Sequence, residues 1–195
     1  MHLERLELQG FKTFANHTVL TFPTPTAENR GLTSIVGPNG SGKSNLSDAI
    51  RWVLGEQSMK QLRSKKSEAV IFHGADKRGR SGFAEVAMTL NNADGAMPIE
   101  YKEVMITRRL YRDGKSEYLL NGSPVRLIDV QLLLARANFG EKHYSVIGQG
   151  MIDGILVLSA DERREFFEEA TGVRPLEIKR RQSVSKLLAT QENKR

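Results

Sequence analysis

Eight consecutive residues, 37–44, have the types and the spacing of a loop that binds phosphate. They read Gly-Pro-Asn-Gly-Ser-Gly-Lys-Ser and fit the pattern G-x-x-x-x-G-K-[S/T]. Gly40 and Gly42 let the backbone turn so that successive N–H groups point at one anion. In such a loop the lysine, here Lys43, reaches the β- and γ-phosphates of a nucleotide, and the Ser44 hydroxyl ligates Mg²⁺. The motif therefore predicts binding of a nucleoside triphosphate with Mg²⁺, but it does not indicate which reaction follows.

A strand and a helix are expected to hold this loop. Residues 32–36 (Leu-Thr-Ser-Ile-Val) form a short apolar run, which is typical of a buried strand. Behind the loop, apolar residues recur at helical spacing, at Leu46, Ala49, Ile50, Val53 and Leu54. A helix that begins near Lys43 would direct its positive dipole end at the bound anion. Strand, loop and helix in this order distinguish a phosphate loop from a chance glycine turn.

The remaining patterns predict an α/β protein in which several antiparallel strands surround this unit. Strands are predicted at residues 3–9, 19–22, 69–72, 83–90, 104–111 and 116–121. Asp113-Gly114 and Asn121-Gly122 indicate tight turns between strands. A helix is predicted at 127–139. Residues 176–195 are charged, free of glycine and helix-favouring, as at the start of a coiled coil, with a plain surface helix as the alternative.

The composition excludes several kinds of site. The chain of 195 residues has no cysteine, which rules out disulfides, thiolate metal sites and cysteine nucleophiles. Its four histidines, His2, His17, His73 and His143, lack metal-site spacing. No apolar run approaches the roughly 18 residues of a membrane span, and the N-terminal residues do not form a signal peptide. We therefore expect a cytoplasmic protein without a membrane partner.

Positive charge is concentrated in one stretch. The formal net charge is +6, and residues 51–80 contain eight Lys and Arg against three Asp and Glu. A clustered positive surface favours a polyanionic partner, with an ordinary solvated surface as the alternative. No base-reading motif is present, so recognition of a specific nucleic-acid sequence is not expected.

Five stretches together resemble the N-terminal half of the ATPase head of bacterial SMC (structural maintenance of chromosomes) proteins, which are ABC-type ATPases. They are residues 10–14, 37–45, 48–58, 144–150 and 167–170. The run at 48–58 and the Gly-Gln-Gly at 148–150 are far more specific than the phosphate loop. The resemblance implies an ABC-type N-terminal lobe over 1–172, with a mixed β-sheet and an antiparallel β subdomain around the phosphate-loop helix. It also implies that a coiled-coil arm starts within 173–195.

The resemblance assigns roles to matching residues. The expected nucleotide contacts are Lys12, Thr13, Pro38, Asn39, Gly40, Ser41, Gly42, Lys43, Ser44 and Asn45. Gln149 matches a glutamine that contacts Mg²⁺ and the attacking water, so Ser44 and Gln149 are the expected metal ligands. Arg63 matches an arginine that approaches the phosphates, where its fork spreads positive charge over the reacting group. Lys43, Gln149 and Arg63 are thus the expected catalytic residues. A solvated or DNA-facing side chain is the alternative for Arg63, and a surface turn is the alternative for Lys12 and Thr13.

The resemblance also implies partners. In the family, ATP joins two heads and its hydrolysis separates them, which organises, compacts and segregates chromosomal DNA. Lys60, Lys65 and Lys66 are the expected DNA contacts, with Arg78 and Arg80 as weaker candidates. The sequence has no apolar strand ending in Asp-Glu and no Ser-Gly-Gly signature, which the family carries in a C-terminal half. We therefore expect a C-terminal head lobe, a second head, a kleisin-type subunit and nucleoid DNA as partners, and little ATP turnover by this chain alone.

Three other classes of function stay open. They are the head of a related coiled-coil DNA-repair ATPase, a small P-loop kinase, and a non-enzymatic DNA-binding module with a vestigial nucleotide site. The run at 48–58 argues against the repair ATPase. The strand-rich middle of the chain fits a kinase poorly. ATP binding would separate the vestigial module from the ATPase.

Overall fold

The computed structural model describes residues 1–28, 31–137, 139, 146–147, 159–160, 164, 171 and 173–192. Within these residues, a six-stranded sheet packs against the helix that follows the phosphate loop. The strands are β1 His2–Gln9, β2 Thr18–Thr21, β3 Phe83–Asn91, β4 Glu103–Tyr111, β5 Ser116–Leu120 and β6 Ser123–Val125. The helices are α1 Lys43–Val53, α2 Leu127–Arg136 and α3 Arg174–Glu192.

The sheet is antiparallel throughout and has the order β2-β1-β3-β4-β5-β6. Four of its five neighbouring pairs join successive strands, and the tight turns predicted at Asp113-Gly114 and Asn121-Gly122 connect two of them. Asn121 and Gly122 both have positive φ (46° and 82°), as a two-residue turn of type I′ between β5 and β6 requires. The pairing of β1 with β3 is the exception, and the segment between β2 and β3 carries the phosphate loop and α1.

One face of the sheet forms the core with α1. Alternation along β3 buries Val86, Met88 and Leu90 completely or almost completely. They belong to the same buried cluster as Trp52 and Val53 of α1. Because α1 contacts β3 and β4, this burial fixes the helix across the centre of the sheet. The start of α1, which carries the phosphate-loop lysine, is therefore placed by the core.

Arg108 on β4 fixes the other end of α1. Its Nη1 donates to the carbonyl oxygens of Trp52 (2.8 Å) and Glu56 (2.9 Å), and the side chain is buried. The guanidinium carbon lies 4.6 Å from the centre of the Trp52 ring and 5.1 Å from that of Tyr118. A cation at this end complements the negative end of the helix dipole and ties the last turn of α1 to the segment that follows it.

The predicted strand at 32–36 is wrong among the described residues. The segment is irregular and solvent-facing, and the Leu32 and Val36 side chains are 90% and 86% exposed. A strand is stable only when its backbone groups pair with a neighbour, and the six described strands pair with one another. Residues 32–36 therefore have no strand to pair with among the described residues.

The predicted strand at 69–72 is also largely wrong. Ser67–Val70 forms a turn of 3₁₀ helix, and only Ile71 makes a bridge, to Phe11. The apolar residues Val70 and Ile71 are nevertheless fully buried. Two backbone hydrogen bonds attach this turn to residues 10–12. The Lys12 N–H donates to the Val70 carbonyl, and the Phe72 N–H donates to the Gly10 carbonyl. A turn, not a strand, therefore buries Val70 and Ile71.

The helical predictions hold for α1, α2 and α3, although α2 ends three residues before the predicted end at 139. Apolar side chains of α3 are exposed, with Leu176 and Leu187 at 67% and 68%. Whether α3 begins a coiled coil stays a prediction. No helix among the described residues is both long and apolar enough to cross a membrane.

We predict that Phe11→Ala lowers the free energy of unfolding by about 3–5 kcal/mol, because it empties a fully buried site against Trp52. Urea unfolding followed by the fluorescence of Trp52, the only tryptophan, measures the change. Val19→Ala on the edge strand β2 is the control and should cost less than about 1 kcal/mol, since Val19 is 44% exposed. Equal losses for the two variants would contradict the described core.

Candidate functional site

The phosphate-loop motif forms an exposed turn that leads directly into α1. Gly40 and Gly42 have φ values of 82° and 93°, a region that residues with a Cβ rarely adopt. Gly42 is the N-cap of α1, which has no side-chain cap and no acidic residue in its first turn. The positive end of the helix dipole therefore faces the loop without a competing carboxylate from that turn. This is the geometry that binds an anion.

Lys43 lies across the loop. Its Nζ donates to the carbonyl oxygens of Gly37 (2.5 Å) and Pro38 (2.7 Å). The Ser41 N–H also donates to the Pro38 oxygen, at 3.3 Å, which closes the turn. An ammonium group has three N–H donors, so these two contacts leave one for a phosphate oxygen. The loop itself thus places the Lys43 charge at the start of α1.

The predicted contacts Lys12 and Thr13 lie beside the start of the helix. Asn45 Nδ2 donates to Thr13 Oγ1 at 2.9 Å. The turn that carries them is anchored by Phe11, which is fully buried with its ring centre 5.3 Å from that of Trp52. Lys12, Thr13 and Asn45 line an open cleft of about 740 Å³.

Asp48 is a functional candidate that the sequence analysis missed. It lies on α1 one turn beyond Ser44, and its side chain is only 2% exposed. Lys12 Nζ and the Arg63 guanidinium both donate to its Oδ2, and Arg63 does so from Nη2 (2.6 Å) and Nε (3.2 Å). Arg63 Nη2 also donates to the Ser44 carbonyl at 2.7 Å. The sequence feature that could have identified Asp48 is its position on α1, one turn before the buried Trp52, where an acidic residue needs a partner.

The Asp48 contacts decide where Arg63 lies. The sequence stretch around Arg63 is basic and does not indicate which cation faces the phosphate loop. The structure holds Arg63 against the first turn of α1, on the same cleft as Thr13 and Asn45. Arg63 is thus held beside the residue that directly follows Lys43.

Ser44 carries a hydroxyl at the start of α1, and a hydroxyl oxygen can ligate Mg²⁺. It is exposed in the first turn of α1, directly after Lys43. Mg²⁺ is usually held by one or two protein oxygens together with phosphate oxygens, and a single hydroxyl fits that pattern. No group of three or more His, Asp or Glu side chains among the described residues forms a separate metal site. The other predicted ligand, Gln149, lies with Gly148 and Gly150 outside the described residues.

The three lysines predicted to contact DNA are all exposed. Lys60, Lys65 and Lys66, here called the basic surface, precede and follow Arg63 in the chain, and Lys65 lines the same cleft. Among the described residues, none of the three forms an ion pair with a carboxylate. Their charges are therefore available to a polyanion. Arg78 and Arg80 are exposed as well.

Comparison with known proteins identifies the relatives of this chain. The family model for the RecF/RecN/SMC N-terminal domain matches residues 2–165. The chromosome partition protein Smc of Bacillus subtilis is 47% identical over 193 residues, which is 99% of this chain. The same protein of Mycobacterium tuberculosis is 51% identical over 173 residues, or 89% of the chain. The chain spans 16% and 14% of the length of these two relatives.

Solved structures show the same relationship. An Smc head domain from Pyrococcus furiosus, with an extended coiled coil and bound to the C-terminal domain of ScpA, has a TM-score of 0.80 at 37% identity. The match covers 98% of this chain and 47% of that one. A second structure, from work on ATP-driven dimerization and DNA-stimulated activation of SMC ATPases, has a TM-score of 0.76 at 38% identity. It covers 87% of this chain and 99% of that chain.

We predict that Gly42→Ala destabilises the chain more than Gly40→Ala. Both positions have positive φ, which costs a residue with a Cβ about 1–2 kcal/mol. At Gly42 the added Cβ would also lie 3.0 Å from Thr13 Oγ1 and 3.5 Å from the Phe14 ring, whereas at Gly40 it would meet nothing within 4 Å. Thermal unfolding of the two variants measures the difference. A loss at Gly40 as large as that at Gly42 would contradict this close contact.

Proposed function

Because the chain belongs to the RecF/RecN/SMC N-terminal domain family, we propose that it binds ATP as the N-terminal lobe of an SMC head. The family and the α/β fold class predicted from the sequence are both confirmed. The observation that carries the proposal is the loop that turns through Gly40 and Gly42 into the uncapped start of α1, with Lys43 across it. Residues 37–45, with Lys12 and Thr13, form the proposed ATP site.

The proposed roles follow from the position of each group. Lys43 neutralises charge on the β- and γ-phosphates, and Ser44 offers its hydroxyl to Mg²⁺. Arg63, held beside Ser44, stabilises the charge that develops on the transferred phosphoryl group. Gln149 is proposed, from the resemblance alone, to contact Mg²⁺ and orient the attacking water. Mg²⁺ supplies further charge neutralisation when it is bound.

We propose that the site is completed by other parts of a larger assembly. Leu32, Ile35 and Val36 are exposed apolar residues immediately before the loop, and no described strand pairs with them. A C-terminal head lobe that adds strands here would cover them and hold the loop from its other side. That lobe would also supply the carboxylate base, and a second head would supply the signature that caps the γ-phosphate. Hydrolysis by this chain therefore requires both.

The biological role is proposed from the relatives. The similar curated proteins are chromosome partition proteins, and one similar structure is an Smc head with ScpA. We propose that ATP-driven joining of two heads, a kleisin-type subunit and contacts with duplex DNA organise the chromosome in the cytoplasm. Because the chain spans about 16% of such relatives, this role belongs to the whole protein.

Lys43→Ala is expected to weaken ATP binding roughly 10- to 100-fold, because it removes a charged donor from the phosphates. Binding of a fluorescent ATP analogue to the head, assembled with its C-terminal lobe in the presence of Mg²⁺, measures this loss. Lys60→Ala is the matched control and should bind the analogue as the wild type does, since Lys60 lies outside the loop. Unchanged binding by Lys43→Ala would favour a vestigial nucleotide site.

The basic surface is expected to bind duplex DNA through phosphates, without sequence preference. If its three lysines each contact one phosphate, raising salt from about 50 to about 200 mM should weaken binding roughly 40-fold. Replacing all three by Ala should reduce the slope of log K against log salt by about 2.7. Fluorescence anisotropy with two unrelated duplexes measures both effects. A slope that does not change in the triple variant would exclude these lysines as the contacts.

A further inference from the structure

We propose that Asp48 is a positioning residue for ATP hydrolysis, and that its buried carboxylate holds one edge of the Arg63 guanidinium so that the other edge faces the nucleotide. The inference rests on the proposed function, because it gives Asp48 a part in that reaction. Asp48 itself does not contact the phosphates in this proposal. It acts through Arg63.

The first observation is burial with charge. The Asp48 side chain is 2% exposed, and a buried carboxylate is tolerated only where cations or donors surround it. Lys12 and Arg63 supply both charges, and both contact the same oxygen, Oδ2. Asp48 therefore acts as the shared counter-ion of two cations that come from separate loops.

The second observation is how Arg63 uses its nitrogens. Nε and Nη2 face Asp48 Oδ2 at 3.2 and 2.6 Å, and Nη2 also donates to the Ser44 carbonyl. Nη1 makes no hydrogen bond within the described part of the chain, and the Arg63 side chain is 51% exposed. A guanidinium has five N–H donors in a rigid plane. One edge is thus fixed and the remaining nitrogen is available to a phosphate oxygen without breaking the contact with Asp48.

The third observation concerns the backbone that carries the two cations. Lys12 and Arg63 both have φ of 49°, which is uncommon for residues other than glycine. Lys12 Nζ also donates to the carbonyl of Leu62, the residue before Arg63. The contacts of Asp48 and Lys12 therefore hold the Arg63 loop in a conformation that it would not adopt by local preference.

We therefore expect loss of the Asp48 charge to affect KM for ATP and kcat differently. Asp48→Asn keeps the shape of the side chain but removes a negative charge next to the phosphate loop, so it should not raise KM for ATP. It also frees the Arg63 edge, so kcat should fall about tenfold or more because the guanidinium is no longer held in place. A purely structural role for Asp48 would lower the melting temperature and weaken binding and turnover together.

A double-mutant cycle in the assembled two-headed protein tests the coupling. Asp48→Asn and Arg63→Ala should each lower kcat, and the double variant should stay within about twofold of Arg63→Ala alone, because both remove the same function. Asp76→Asn, which removes an exposed acid from the same region, is the control and should leave kcat unchanged. Losses that multiply in the double variant, or an unchanged kcat in Asp48→Asn, would overturn the proposal.

A measurement on the wild type applies even if Asp48→Asn does not fold. The Arg63 Nε–H signal in a ¹⁵N spectrum should be protected from exchange with water both without nucleotide and with a non-hydrolysable ATP analogue and Mg²⁺. Loss of protection when the analogue binds would overturn the proposal, because Arg63 would then leave Asp48.

Lys43→Ala separates this inference from the proposed function. If that variant binds ATP as tightly as the wild type, the proposed function fails. If its ATP binding weakens as expected while the cycle is multiplicative, only the role of Asp48 fails.

Discussion

The described structure depends on how α1 is held, because this one helix joins the sheet to the phosphate loop. Its apolar face is buried against β3 and β4, and Arg108 binds the carbonyls of Trp52 and Glu56 at its C-terminal end. Burial alone would allow a helix to slide along a flat apolar face. Two charge-assisted hydrogen bonds to defined carbonyls fix its axial position, and with it the location of Lys43.

Cations hold α1 near both of its ends, and the two arrangements have different consequences. Arg108 is buried between the rings of Trp52 and Tyr118, and its Nη1 is used by two backbone carbonyls. Arg63 is half exposed and meets α1 through Asp48 and the Ser44 carbonyl, so it keeps donors on the solvent side. The same type of side chain therefore serves packing at one end and faces the candidate phosphate site at the other. Burial, not sequence context, makes that difference.

The sequence predicted the elements that depend mainly on residues close to them in the chain. The turns at Asp113-Gly114 and Asn121-Gly122, strands β3 to β5 and the start of α1 follow from turn residues and periodicity within about ten positions, whereas the short strand β6 was not predicted. Asp48 and Arg108 could not be assigned, because their partners lie between 15 and 56 positions away. The strand expected at 32–36 was wrong for a related reason. An apolar pattern indicates burial. Whether the segment forms a strand depends on a neighbouring strand that pairs with it, which the tertiary structure decides.

That same segment connects the fold to the proposed mechanism. Residues 32–36 lead into Gly37, whose carbonyl binds Lys43, yet Leu32 and Val36 are almost fully exposed. The loop is therefore fixed by α1 on one side and by no described strand on the other. If a C-terminal lobe pairs with this segment, assembly would immobilise the loop from both sides and reduce the ordering cost of binding ATP. A site divided in this way would couple nucleotide affinity to assembly, since the joined lobes would hold the loop that carries Lys43 from both sides.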